Sequence, residues 1–146
     1  MADISKIKLE NETYNIKDEI ARNQLNIINS QGTIMIGDSY GVGTTAGGQT
    51  TGWCDRLKNL MNLSNNDFFK FVEGGCGFLK YGEQGHTFLG LLQDNISDIQ
   101  DTSSIDKIIV CGGFNDKDYG SSDLNNAIQG FCNYCKQHFE NAKIYI

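Results

Sequence analysis

Thr33-Ile34-Met35-Ile36-Gly37-Asp38-Ser39-Tyr40-Gly41 is the stretch on which the reading of this chain turns. Thr33 to Ile36 is a short apolar, β-rich run. It passes directly into a Gly-Asp-Ser turn of residues that tolerate tight backbone geometry. This pattern predicts a buried strand that delivers Ser39 at its carboxyl end, the edge at which open α/β sheets hold their ligands. Two further stretches repeat the design. Phe68 to Val72 runs into Glu73-Gly74-Gly75-Cys76-Gly77, and Lys107 to Cys111 runs into Gly112-Gly113-Phe114-Asn115-Asp116.

Helical periodicity fills the intervals. Trp53 to Leu63 places Trp53, Leu57, Leu60 and Met61 on one face, with Trp53 read as core. Thr87 to Ile99 does the same with Phe88, Leu91, Leu92, Ile96 and Ile99, and Leu124 to Phe139 with Ala127, Ile128, Phe131, Cys132 and Cys135. Ala142 to Ile146 reads as the start of a fourth strand. Strands alternating with helices predict an α/β fold, a parallel sheet with helices on both faces and right-handed crossovers. Tyr40 to Thr51 reads as a Gly/Thr-rich loop. It is not a P-loop, because Gly37-x-x-x-Gly41 is not followed by Lys and Ser or Thr; a flavodoxin-like phosphate loop using Thr44 and Thr45 stays open.

On these residues the chain resembles the SGNH (GDSL-type) hydrolases. Gly37-Asp38-Ser39 matches the family's first block, Gly75 the glycine of the second, and Gly113-Phe114-Asn115-Asp116 the Gly-x-Asn-Asp of the third. The resemblance spans residues 31–146 and implies a three-layer αβα sandwich around a parallel sheet. It also implies a serine esterase or acyl hydrolase that removes acyl groups from a carbohydrate or cell-envelope substrate, with no cofactor and no metal. Ser39 is then the nucleophile. The oxyanion donors are the N–H of Ser39, the N–H of Gly75 and the side-chain amide of Asn115, with Gly74 as an alternative register for Gly75. Those residue types suit the role, since a residue without Cβ lets substrate approach the main chain and a carboxamide donates in any protonation state. Asp38 and Asp116 read as loop organisers bonding backbone N–H groups in Asx-type turns.

A serine hydroxyl needs a base to take its proton. The family's Asp-x-x-His block, which supplies one, occurs nowhere in these 146 residues, so the expectation is a domain cut before that block and lacking the last strand and helix. Of the two histidines, His86 lies in the glycine-rich lead-in to the second helix and is the candidate base. His138, near the end of the last helix, reads as a surface residue.

A chain of 146 residues and 16.2 kDa, 39% hydrophobic, has one domain's worth of core. With 12 basic against 18 acidic residues, a net charge of -6 and no basic stripe, it is not a general nucleic-acid binder. The 5 cysteines, at 54, 76, 111, 132 and 135, are odd in number and set mostly in apolar surroundings, which predicts reduced thiols and no disulfide framework. Cys132, Cys135 and His138 share a helix face but lack a fourth ligand, so packed core cysteines are expected in place of a zinc site. No secretion signal and no membrane-length apolar run is present, which predicts a soluble protein, cytoplasmic as made.

Residues 1–30 form a separate arm. Ile7, Leu9, Tyr14 and Ile16 alternate with polar residues around Glu10-Asn11-Glu12, a two-stranded ribbon, and Asp18 to Asn29 reads as a helix carrying Ile20, Leu25, Ile27 and Ile28. Such a piece cannot bury its own core, so it is expected to dock, on its own domain or on a partner. The opening Ile4-x-Lys6-Ile7-Lys8-Leu9, followed by Tyr14-x-Ile16-Lys17-Asp18-Glu19-x-Ala21-Arg22, is similar to the start of many phage tail and baseplate-associated proteins. That similarity implies an attachment or oligomerisation arm, with a homo-oligomer or virion tail proteins as partners. The substrate partner would be an acylated small molecule or a glycan. The alternative function is a catalytically impaired structural or receptor-binding module of a larger, virion-like assembly.

Overall fold

The computed structural model describes residues 6–9, 12–15, 32–45, 48–49 and 52–146, in two units, residues 1–30 and 31–146. In the first unit, β1 (Lys6–Leu9) and β2 (Glu12–Asn15) pair antiparallel with Ile7 opposite Tyr14, the expected ribbon. The helix expected over 18–29 lies outside the described residues.

The second unit begins with β3 (Gly32–Gly37), followed by a single helical turn α1 (Ser39–Val42) and the short strands β4 (Thr44–Thr45) and β5 (Gly48–Gln49). Then come α2 (Trp53–Leu60), β6 (Phe68–Val72), α3 (Phe88–Asn95), β7 (Ile105–Cys111), α4 (Ser121–His138) and β8 (Lys143–Tyr145). The main sheet has the order β6-β3-β7-β8 and is parallel throughout. β3 lies between β6 and β7 with all six residues buried, which is why it is apolar without alternation.

Pairing of Ile34 and Ile36 with Phe69 and Phe71 on one side and with Ile108 and Val110 on the other sets these residues on one face. There they share a core with Phe88, Leu91 and Leu92 of α3 and Phe131 and Cys135 of α4. Phe78 closes that core by edge-to-face contacts with Phe88 (5.0 Å) and Phe131 (5.8 Å), geometry favoured by the ring quadrupoles. The other face meets α2: the Trp53 ring stands 3.2 Å from where a Cβ on Gly37 would be, and Lys70 of β6 bonds Asp55 of α2 at 2.7 Å. Helices therefore cover β3 from both sides, and the loop after β3 opens at the point where the chain turns from one neighbour to the other, the position where open α/β sheets bind ligands.

The element ends depart from the periodic reading in informative ways. α2 stops at Leu60 because Asn62 turns left-handed (φ 53°), with Asn62 N bonded to Asn59 O and Leu63 N to Lys58 O, a Schellman close. Leu60 is consequently 84% exposed and not part of the apolar face. α3 gives way to a 3₁₀ turn at Ile96–Asp98, while its Thr87 side chain caps Gly90 N. Ser39 is not in a loop but opens α1. Of the cysteines, Cys54, Cys76 and Cys135 are buried, whereas Cys111 is exposed; all five are free thiols. His138 is half-buried, its ring 4.2 Å from that of Tyr134.

Candidate active site

Asp38 ends the β3 turn by accepting from Tyr40 N at 3.0 Å, the N-cap of α1 and an Asx turn of the expected kind. The residue it introduces, Ser39, is half-buried, and neither its hydroxyl nor its backbone N–H is hydrogen-bonded among the described residues. Burial raises the Asp38 carboxyl above the usual aspartate range against the opposing bond from Tyr40 N.

Asn115 ties the three turns together. Its Nδ2 donates to Cys76 O at 2.8 Å and stands 3.5 Å from Asp38 Oδ2, so the turn after β7 reaches the residue following Gly75 and the residue preceding Ser39. Cys76 adds a second tie, donating its thiol to Glu73 O at 3.1 Å and to Gly37 O at 3.5 Å. Burial pushes that thiol up to about 12, so it stays protonated as a donor.

Gly75 is left-handed (φ 75°), nothing lies within 4 Å of where its Cβ would stand, and its N–H is unbonded among the described residues. At Gly74 the same position is filled by the Glu83 carboxyl at 2.9–3.0 Å. Of the two registers, Gly75 has open space at its Cβ position, while Gly74 is the one that lines the cleft, its N–H likewise unbonded among the described residues.

Asp116 organises a loop by a longer reach than an Asx turn. It is 1% exposed and accepts from three consecutive amides far back in the chain: Phe78 N at 2.8 Å, Leu79 N at 2.9 Å and Lys80 N at 2.9 Å. Its carboxyl occupies the space where a Cβ of Gly77 would be.

His86 is held on both sides by carboxylates. Nδ1 lies 2.6 Å from Glu73 Oε2 and Nε2 lies 3.1 Å from Asp94 Oδ2. Both ring nitrogens are thus engaged, and neither histidine is hydrogen-bonded to Ser39 among the described residues. The orienting residue missed from the sequence is Glu73, with a side chain 1% exposed. Burial alone would raise its carboxyl, but bonds from Gln84 N, the His86 ring and His86 N outweigh that and hold it below the usual glutamate range. Its only signal in the chain is position: an acid between an apolar strand and the Gly74-Gly75 pair.

A cleft of about 330 Å³ is lined by Ser39, Val42, Val72, Gly74, Glu83 and Gln84, with Lys70 and Glu73 in its wall. A larger one, about 490 Å³, borders Asn65, Phe69, Asp101 and Ser104, beside the amino ends of β6 and β7. The smaller cleft is the functional candidate, because it lies at the carboxyl edge of the sheet between the turns after β3 and β6, with Ser39 in its lining. Comparison with protein-family models, with curated proteins and with solved structures finds no match to this chain.

Proposed function

We propose that this chain is a serine acyl hydrolase of SGNH type, with the three-layer αβα architecture of that family. The observation that carries the reading is the Asn115 bridge, which draws together the turns bearing a Ser39 hydroxyl and two amides, at Ser39 and Gly75, that are unbonded among the described residues. In the reaction Ser39 Oγ attacks the acyl carbonyl, its proton passes to solvent water and is returned from water to the departing alcohol, and the new oxyanion takes hydrogen bonds from Ser39 N, Gly75 N and an Asn115 Nδ2 hydrogen turned from Asp38. The alcohol departs, and water then hydrolyses the acyl-serine. An acylated glycan or small molecule is the substrate class.

The engagement of both His86 nitrogens favours a second reading, a catalytically impaired module of an oligomeric or virion-like assembly. One experiment separates the two. Hydrolysis of nitrophenyl acetate is expected to be slow and to depend on Ser39, because oxyanion stabilisation and binding alone leave roughly 10³-fold over water when a triad is broken. Equal rates for the chain and for Ser39→Ala would remove the hydrolase reading and leave the module.

A further inference from the structure

The segment from Glu73 to His86 carries Gly75 and forms one wall of the cleft. It folds back on itself through Glu83 N to Gly74 O (3.0 Å) and Gly82 N to His86 O (2.9 Å). One buried carboxylate joins its two ends. Glu73 Oε1 accepts from Gln84 N at 2.5 Å and His86 N at 3.5 Å, while Oε2 meets His86 Nδ1 at 2.6 Å. A Cβ on Gly82 would stand on Glu73 Oε1, so the glycine makes room for the carboxylate. Asp94 holds the far side of the His86 ring at 3.1 Å from α3, and its side chain is 65% exposed. The middle of the segment is held separately by Asp116 through residues 78–80.

We propose that Glu73 is the positioning residue of this site: by closing the 74–86 loop it fixes the Gly75 N–H beside Gly74 in the cleft wall, and His86 acts through Glu73 as a latch, not on Ser39. This rests on the hydrolase reading for its consequence in rate, and on hydrogen bonding alone for its consequence in loop order. A carboxylate that accepts from two amides and a ring nitrogen uses charge-assisted bonds, the strong kind, and an amide donor serves an oxyanion only when held in place beforehand.

The test uses the 146-residue chain with Glu73→Gln, His86→Ala and His86→Asn. The carboxamide introduced by His86→Asn can present a donor where Nδ1 stands but cannot take a proton from a serine. Amide exchange over residues 74–86 is expected to quicken about tenfold or more in Glu73→Gln and His86→Ala, the loss of a bond to a charged group, and to return toward the parent value in His86→Asn. The Ser39-dependent kcat on nitrophenyl acetate should follow the same order, with KM little changed. Equal loss of kcat in His86→Ala and His86→Asn, with exchange unaltered, would make His86 a base and overturn the proposal, as would unaltered exchange in Glu73→Gln. If Glu73→Gln fails to fold, the His86 pair decides by itself. If Ser39→Ala matches the parent rate, the hydrolase reading falls and the exchange results still decide whether the latch exists.

Discussion

Two glycines two residues apart have different reasons to be glycine. At Gly77 the backbone is ordinary and the space is taken by the Asp116 carboxyl; at Gly75 the space is empty and the backbone is left-handed. Gly77→Ala is therefore expected to displace Asp116 and loosen three charge-assisted bonds, costing about 3 kcal/mol or more in denaturant unfolding. Gly75→Ala should cost about 1–2 kcal/mol, the strain of a left-handed alanine. The buried carboxylates also set the response to acid. Glu73 is held below its ordinary value, so its contribution is complete above about pH 4.3 and is lost as pH falls through the lowered value. Asp38 is raised, so its ionised form weakens the fold and protonation on the way down relieves it. Stability measured against pH should thus fall less steeply on the acid side in Glu73→Gln than in the parent, and more steeply in Asp38→Asn.

Elements end where local geometry stops them. α2 carries an apolar periodicity to Leu63 but closes at Leu60, because Asn62 adopts φ 53° and the following amides turn back to Asn59 and Lys58. Asparagine accepts that conformation and a β-branched residue does not. Asn62→Val is expected to lower the thermal unfolding stability by about 1–2 kcal/mol, while Asn62→Gly leaves it unchanged or higher. Strand position differs likewise: β3 is buried along its whole length between two neighbours, whereas β8 is three residues long and, among the described residues, pairs with β7 alone.

At the scale of the molecule, the described core of the second unit gathers on one face of the sheet. Among the described residues, that cluster and the side chains packed on it run from Ile34 to Ile144. A shortened chain starting at Ser30 is expected to keep the cooperative unfolding and the circular dichroism of the sheet unit, and loss of cooperativity in that chain would show that residues 1–30 complete the fold. No helix among the described residues is long and apolar enough to cross a membrane.

What the chain declared by itself was periodic and local. An apolar run at β3, apolar stripes at helical spacing and three turns rich in glycine were enough for a parallel α/β sheet and for Ser39, Gly75 and Asn115 at its carboxyl edge, because strand, helix and turn preferences act over a few neighbours. The partners of the buried carboxylates were not legible. Glu73 meets His86 across 13 positions and Asp116 meets Phe78 across 38, and nothing in the types Glu, Asp or Gly marks them as joined. Only the packed structure decides such pairs, since a carboxylate removed from water takes whichever donors the fold brings within reach, and the glycines beside it are those whose missing Cβ leaves it room.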